Sequence, residues 1–279
     1  MTISLTSNEQ FWSNINSFAE LGVENVKIHF DPNCRSSTIF PVYMKNGSKC
    51  YLSFLSYWIK KHGSRVAIIF TARNLSGEIV GQEWIPITRC FAINYDVSKF
   101  EYSPEPEYGF CGSIEVEIFS QTIPAFTFPA ISLFYENDIS SSVVHACIRS
   151  YNKNETDADY AIDFPQTGFD VVFEDNKLNY ISFMGGDKSN YIISFSLKLH
   201  DKIITKNLEI SNKRYAQLHL IILEELFEIK NQKLTTHIDI RHDLDVFPRF
   251  YVGIIQENNV PTLTHTFFNT SETNITRKI

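Results

Sequence analysis

Glycine, methionine and tryptophan are scarce in this 279-residue chain, at 11, 3 and 3 residues. So few glycines argue against backbone cradles for nucleotides. No glycine-rich phosphate loop, G-x-S-x-G elbow or H-E-x-x-H segment occurs. Long basic runs are missing too; Lys60-Lys61-His62 is the largest basic cluster. With 25 basic against 32 acidic residues the net charge is −7. That balance disfavours phosphate backbones and anionic lipid surfaces, so neither nucleic acid nor membrane is expected as a partner. No stretch reaches the ~18 uncharged apolar residues of a membrane-spanning helix. The first twenty residues lack the basic start and apolar run of a signal peptide. Cysteine is sparse: Cys34, Cys50, Cys90, Cys111 and Cys147 are odd in number and none are spaced C-x-x-C. They read as reduced, packed thiols. These absences predict a cytoplasmic protein.

What the chain has in quantity is aromatic residues, 14% in all, with 23 Phe and 13 Tyr. Such residues suit pleated, half-buried surfaces. They also fall into a repeat. Tyr51-Leu-Ser-Phe54 matches Tyr180-Ile-Ser-Phe183, and the run Val66 to Arg73 resembles Tyr191 to Lys198. Val116-Glu-Ile118 matches Ile238-Asp-Ile240, and Phe128-Pro129 matches Phe247-Pro248. Each Phe-Pro leads to Glu-Asn, at Glu136-Asn137 and Glu257-Asn258, and then to an apolar run around a histidine, His145 or His265. A third such run holds His29.

The segments between these landmarks are short, rich in Ile, Phe, Tyr and Val, and bounded by Gly, Pro, Asn and Asp. The pattern predicts strands over 26–30, 39–44, 50–55, 65–72, 113–119 and 128–135 in the first copy. In the second it predicts 143–150, 168–173, 178–184, 190–199, 234–241 and 248–256. Asn46-Gly47, Ser76-Gly77 and Asp201-Lys202 are hairpin signals. Residues 7–21 read as a helix, with Ser7 and Gln10 as a capping box and Gly22 as the stop. Residues 214–229 have helical spacing of Leu218, Ile221, Ile222 and Leu226, but the repeat favours a strand at 216–223 followed by a turn. Residues 152–167 form an acidic insertion without an equally long counterpart.

The expected fold is therefore mainly β. It is a tandem duplication of an antiparallel β-sandwich unit, jelly-roll-like, with a short N-terminal helix. The expected limits are 1–22 for the helix, 23–140 and 141–270 for the two units, and 271–279 for a frayed tail.

Few residues point to chemistry. His29, His145 and His265 recur at repeat positions, where a neutral imidazole could bind metal or act as a base. Recurrence also suits a simple core role bonded to backbone. In the strand around His237, Asp239 and Arg241, these three side chains share one face, with His242 and Asp243 following. They could supply ligands or clamp an anion; a solvated face with cross-strand ion pairs is the simpler reading. Its counterpart, Glu115-Val-Glu117, keeps acidic residues but lacks the His and Arg. Arg249 among Phe247, Phe250 and Tyr251 could stack on a planar ligand or hold a carboxylate. The acidic run Asn154 to Asp159 lacks the glycine and closing Glu of a calcium loop. Tyr151 and Tyr160 flank it and could stack on sugar rings.

The reading that follows is a non-catalytic binding or assembly protein. Its ligand is a carbohydrate or another protein, no cofactor or metal is implied, and homo-oligomerisation through long β edges is open to it. The candidate binding residues are His145, His265, His237, Asp239, Arg241, His242 and Arg249, and no catalytic residue is assigned. The alternative is a metal-dependent enzyme with a histidine and acidic site in the second unit.

Overall fold

A computed structural model describes residues 34–45, 47–56, 66–102, 108–120, 131–146, 149–152, 166–199, 201–229, 233–244 and 250–266. The described chain is nearly all β, in four antiparallel sheets. The strands are β1 (Cys34–Tyr43), β2 (Lys49–Leu55), β3 (Val66–Asn74), β4 (Ile79–Ile87), β5 (Ala92–Asp96), β6 (Phe110–Ser120), β7 (Ile131–Glu136), β8 (Ser141–Ala146) and β9 (Arg149–Asn152). Then come β10 (Gln166–Phe173), β11 (Lys177–Met184), β12 (Asn190–Leu199), β13 (Lys202–Ser211) and β14 (Leu218–Ile222). A single-turn helix α1 (Leu223–Phe227) precedes β15 (Leu234–His242), β16 (Tyr251–Gln256) and β17 (Thr264–His265). Among the described residues no helix is long and apolar enough to cross a membrane.

Sheet I runs β4-β3-β6-β1-β9 and sheet II runs β5-β2-β7-β8. Sheet III runs β10-β15-β12-β13 and sheet IV runs β14-β11-β16-β17. Leaving β9 aside, adding nine to each strand number of sheets I and II gives the strand orders of sheets III and IV. Two sets of eight strands thus share one pairing scheme.

Alternation explains the cores. In a strand, successive side chains face opposite ways. Phe40, Val42, Ile68, Phe70, Ile114, Val116 and Ile118 of sheet I pack with Leu52, Leu133 and Tyr135 of sheet II in a first core. Tyr191, Ile193, Phe195, Leu197, Ile238 and Ile240 of sheet III pack with sheet IV in a second core. Sheet IV serves both. On β11, Tyr180 and Met184 enter the first core while Ile181 and Phe183 enter the second. Residues Asn179–Met184 are consequently all buried.

The two sets are joined by a polar knot. Glu115 on β6 is fully buried and receives a hydrogen bond from Arg73 Nη1 (2.9 Å). Its other oxygen accepts from Ser37 Oγ (2.7 Å) and from Tyr215 Oη (2.9 Å), which reaches over from the second set. Arg73, 1% exposed, also lies 5.3 Å from the Tyr215 ring centroid. Ser113 Oγ donates to Ala216 O (3.0 Å), and Tyr251 Oη donates to Ile39 O. Within sheet I, Gly112 lets β6 lie close against β3: a Cβ there would stand 1.9 Å from Arg73 O.

Several expectations need correcting. Asn46-Gly47 does not close a hairpin, because β1 pairs with β6 and β9 while β2 pairs with β5 and β7. The turn at Gly47 (φ 71) instead carries the chain between sheets I and II. Ser76-Gly77 and Asp201-Lys202 do close hairpins, β3–β4 and β12–β13. The strand of His145 pairs with β7 and so ends the first set, rather than opening the second. Glu115 and Glu117, the sequence counterparts of His237 and Asp239, are buried. The 214–229 segment divides, with a strand at Leu218–Ile222 and the helix turn after it. β4, β5 and β13 had no strand expectation, and the run expected over 143–150 is divided between β8 and β9; β4 contains Pro86, and β13 buries neither face fully. The helix over 7–21, the strand over 26–30 with His29, and the tail 271–279 lie outside the described residues.

Breaking the knot from one side leaves an uncompensated buried charge, which costs about 3–5 kcal/mol. Arg73→Met should lower the unfolding free energy by that order in urea titration. Adding Glu115→Met should cost much less than the sum of the two single losses. A loss under about 1 kcal/mol for Arg73→Met would show that the knot does not bind the sets together.

Candidate functional site

Among the described residues, the outer face of sheet III is where His237, Asp239 and Arg241 meet in the open. Strand β15 has the burial alternation of a half-buried strand: Thr236, Ile238, Ile240 and His242 point in, and Thr235, His237, Asp239 and Arg241 point out. Pairing with β10 and β12 sets the register. Asp170 stands opposite His237, Gly168 and Ser196 flank Asp239, and Ser194 stands opposite Arg241.

His237 Nδ1 lies 2.7 Å from Asp170 Oδ1, and its Nε2 lies 3.6 Å from Asp239 Oδ1. The three side chains are 45%, 81% and 50% exposed, so water competes for these contacts and they hold their geometry only weakly. Gly168 keeps the floor between them open; a Cβ there would stand 2.6 Å from His237 Nε2. Farther across, Ser194 Oγ donates to Asn207 Oδ1 (2.6 Å) and Ser196 shares a bond with Thr205 (3.0 Å). Arg241 has no ion pair among the described residues, which leaves its planar five-donor fork available. The face is a flat grid of short donors and acceptors with one guanidinium at its side.

The other candidates lie elsewhere. His242 is on the opposite face of β15 from His237, so one ion could not take both as ligands. Its Nδ1 accepts from Leu244 N–H (3.2 Å), and its ring stands edge-on to Phe250 at 4.9 Å. The remaining Nε2 is buried without a partner. His145 and His265, the repeat counterparts, do come together: their rings meet edge to face at 5.2 Å, where β8 approaches β17. His265 is buried and His145 exposed. This is a seam contact, reinforced by Asn137 Nδ2 donating to Asn258 O (3.0 Å) and Val260 N–H donating to Ser140 Oγ (2.9 Å). Arg249 and Tyr160 lie outside the described residues, as does most of the acidic insertion. Among the described residues, no group of three or more His, Cys, Asp and Glu side chains is placed to hold a metal ion.

One polar cluster carried no sequence signal. His219 on β14 stacks on Phe183 (4.9 Å, 25°) and donates from Nε2 to Asn212 Oδ1 (3.1 Å). Asn212 Nδ2 in turn donates to Gly186 O (3.0 Å) and Lys188 O (2.9 Å). The Gly185-Gly186 pair makes room for it, since a Cβ at Gly185 would stand 2.2 Å from Asn212 Oδ1. Only its place after the edge strand distinguishes this lone histidine, so only tertiary contact reveals it.

No family model matches the chain, and no curated protein matches it. A chain from "The structure of a beta-glucuronidase from glycoside hydrolase family 2" is similar over 84% of this chain, at 9% identity and a TM-score of 0.17. The match spans 24% of that chain.

Burial pushes His219 and His242 down to about 4. At His242 the nearby Asp243 opposes that shift and Lys188 adds to it. Both values lie below the ordinary 6.5, so the unfolded chain binds protons that the folded chain refuses. Stability from these groups is complete above about pH 6.5 and declines as pH falls toward about 4. Urea unfolding should show a loss of about 2 kcal/mol per histidine between about pH 7 and about pH 5. His242→Leu should remove one such share of the slope. An unchanged slope in that variant would mean that His242 is not held neutral.

Proposed function

We infer that this chain is a non-catalytic binding protein of the cytoplasm, made of two duplicated β-sandwich units, jelly-roll-like in layout, whose ligand is a carbohydrate. The observation that carries this reading is the open grid of Asp170, His237, Asp239, Arg241, Ser194, Asn207, Ser196 and Thr205 on one sheet face. A polyhydroxylated ring asks for many short donors and acceptors at fixed spacing, and a pleated sheet supplies them at ~3.3 Å rise and ~4.8 Å strand separation. A guanidinium at the margin adds a bidentate clamp for a ring carboxylate or a pair of hydroxyls.

The shared strand order of the two sets, together with the matched sequence landmarks, supports the duplication. On that reading the units are 34–146 and 166–266 in strand content, with the histidine strand last in each. Cys50, Cys90 and Cys111 are free, and burial raises the Cys50 and Cys111 thiols, Cys111 up to about 12. Such thiols are inert packing groups that suit a reducing compartment. Docking of another protein on the same face is the second reading, favoured by Ile192 and Val172 at its borders, 62% and 37% exposed.

A glycan array probed with the purified chain tests the first reading. Arg241→Ala should weaken binding to any hit by roughly 10-fold or more, as expected for a charge-assisted hydrogen bond worth ~1.5–3 kcal/mol. Hits that survive both Arg241→Ala and Asp239→Ala would place the binding surface elsewhere. Absence of glycan binding together with turnover of a small metabolite would replace the binding reading with an enzymatic one.

A further inference from the structure

An unpaired strand edge presents a row of N–H and C=O groups that another strand can complete. Folded proteins blunt such edges with prolines, bulges and inward charges. The edges of sheets I and III allow a direct comparison, because β4 and β13 hold the same place in the two sets.

Strand β4 is blunted. Pro86 removes one N–H, the register breaks opposite Ala72/Arg73, and Glu83 stands opposite the inward Phe70. Glu83 is held there by Lys99 and by Tyr95 Oη (3.0 Å). Strand β13 has neither proline nor bulge. Its ten residues pair with β12 without a register shift, and among the described residues no strand pairs with its other side. It carries one inward charge, Lys206, 3.3 Å from Glu228, as β4 carries Glu83, so the two edges differ in proline and bulge rather than in charge.

The residue order of β13 also points to its occupant. Ile204, Lys206, Leu208 and Ile210 face the second core, while Ile203, Thr205, Asn207 and Glu209 face out. Ile204, Leu208 and Ile210 are only partly buried, so the second core is left open at this edge. Ile203 is 70% exposed. Lay a second copy antiparallel with a twofold axis through Asn207. Ile204 then stands opposite Ile210 of the second copy, Lys206 opposite Leu208, and Thr205 opposite Glu209. Inward residues meet inward residues, and like charges are nowhere directly opposed. The contact is isologous and closes on itself.

We propose that β13 is a self-association edge, through which two copies pair antiparallel about Asn207. The paired sheets form one eight-stranded sheet whose two cores become continuous. The axis stands perpendicular to the sheet, so both polar grids face the same way. A ligand with repeating units then meets two sites at once, and the second engagement gains from effective concentration. The pairing itself does not depend on which ligand, if any, the grid takes.

Sedimentation equilibrium of the full chain over a wide concentration range tests this. The wild type should show a monomer–dimer equilibrium. Asn207 is exposed, so Asn207→Asp and Asn207→Lys leave the fold intact. Each places like charges face to face at the axis and should weaken the dimer about 10-fold or more. An equimolar mixture of the two variants should recover dimer, now as a heterodimer. A wild type that stays monomeric overturns the proposal. So does a dimer that either variant leaves unchanged, and so does a mixture that fails to recover.

Discussion

The carboxylate of Glu115 is the group on which the arrangement of the two strand sets depends. A fully buried carboxylate is tolerated only when paired and hydrogen-bonded. Here the partners come from three places: Arg73 on the neighbouring strand, Ser37 one strand beyond on the other side, and Tyr215 from the second set. Remove the second set and one acceptor site empties, while the Arg73 guanidinium loses its aromatic cover. The β3–β4 hairpin is drawn into the same joint. Arg214 donates from Nη1 to Ser76 O (3.4 Å) and pairs through Nη2 with Glu78 (3.0 Å). The first core cannot be completed by sheets I and II alone, because Tyr180, Met184, Leu218 and Tyr251 of sheet IV belong to it.

Sheet IV shows what this costs in sequence terms. A strand buried on one face alternates polar and apolar residues; a strand buried on both faces cannot. Strand β11 runs Asn-Tyr-Ile-Ser-Phe-Met without a solvent-facing position. Of its two polar side chains, Ser182 Oγ is buried with no partner among the described residues. Asn179 is tied down: its Nδ2 donates to Val172 O (3.0 Å) and to Glu224 Oε1 (2.7 Å). The short helix α1 is thereby fixed to the strand it follows in space. Glu224 in its first turn holds Asn179, and Leu223 and Phe227 enter the second core.

The strands were legible because their chemistry is local. The run 190–199 precedes the Asp201-Lys202 turn signal, and Tyr191, Ile193, Phe195 and Leu197 alternate with outward residues so that all four face the core. What was illegible is which faces are covered. Glu115-Val-Glu117-Ile alternates like any surface strand, yet both carboxylates are buried, because the covering partner lies far off in sequence. Asn46-Gly47 has the residues of a tight hairpin, but they serve equally to cross between sheets, and only the pairing partners of β1 and β2 tell the two apart. His145 and His265 were visible as repeat positions. That they touch each other follows from how the sets are laid side by side, which no local pattern encodes.

The sequence match of Val116-Glu-Ile118 with Ile238-Asp-Ile240 puts Glu117 level with Asp239 and Glu115 level with His237. The same face of corresponding strands therefore has opposite fates. In the first set it is sealed, and Glu115 on it joins the sets through Tyr215. In the second it is open, and its ionisable groups stand in water beside Gly168 and Arg241. A sealed face constrains every residue on it, since each polar atom needs a partner and each volume change is felt. An open face is free of both constraints, so its side chains can be shaped by a ligand. Where two strand sets share one pairing scheme, the set whose face is not consumed in joining them keeps its polar side chains in water. That asymmetry leaves the grid on sheet III open while the Glu115 carboxylate of sheet I is taken up in holding the sets together.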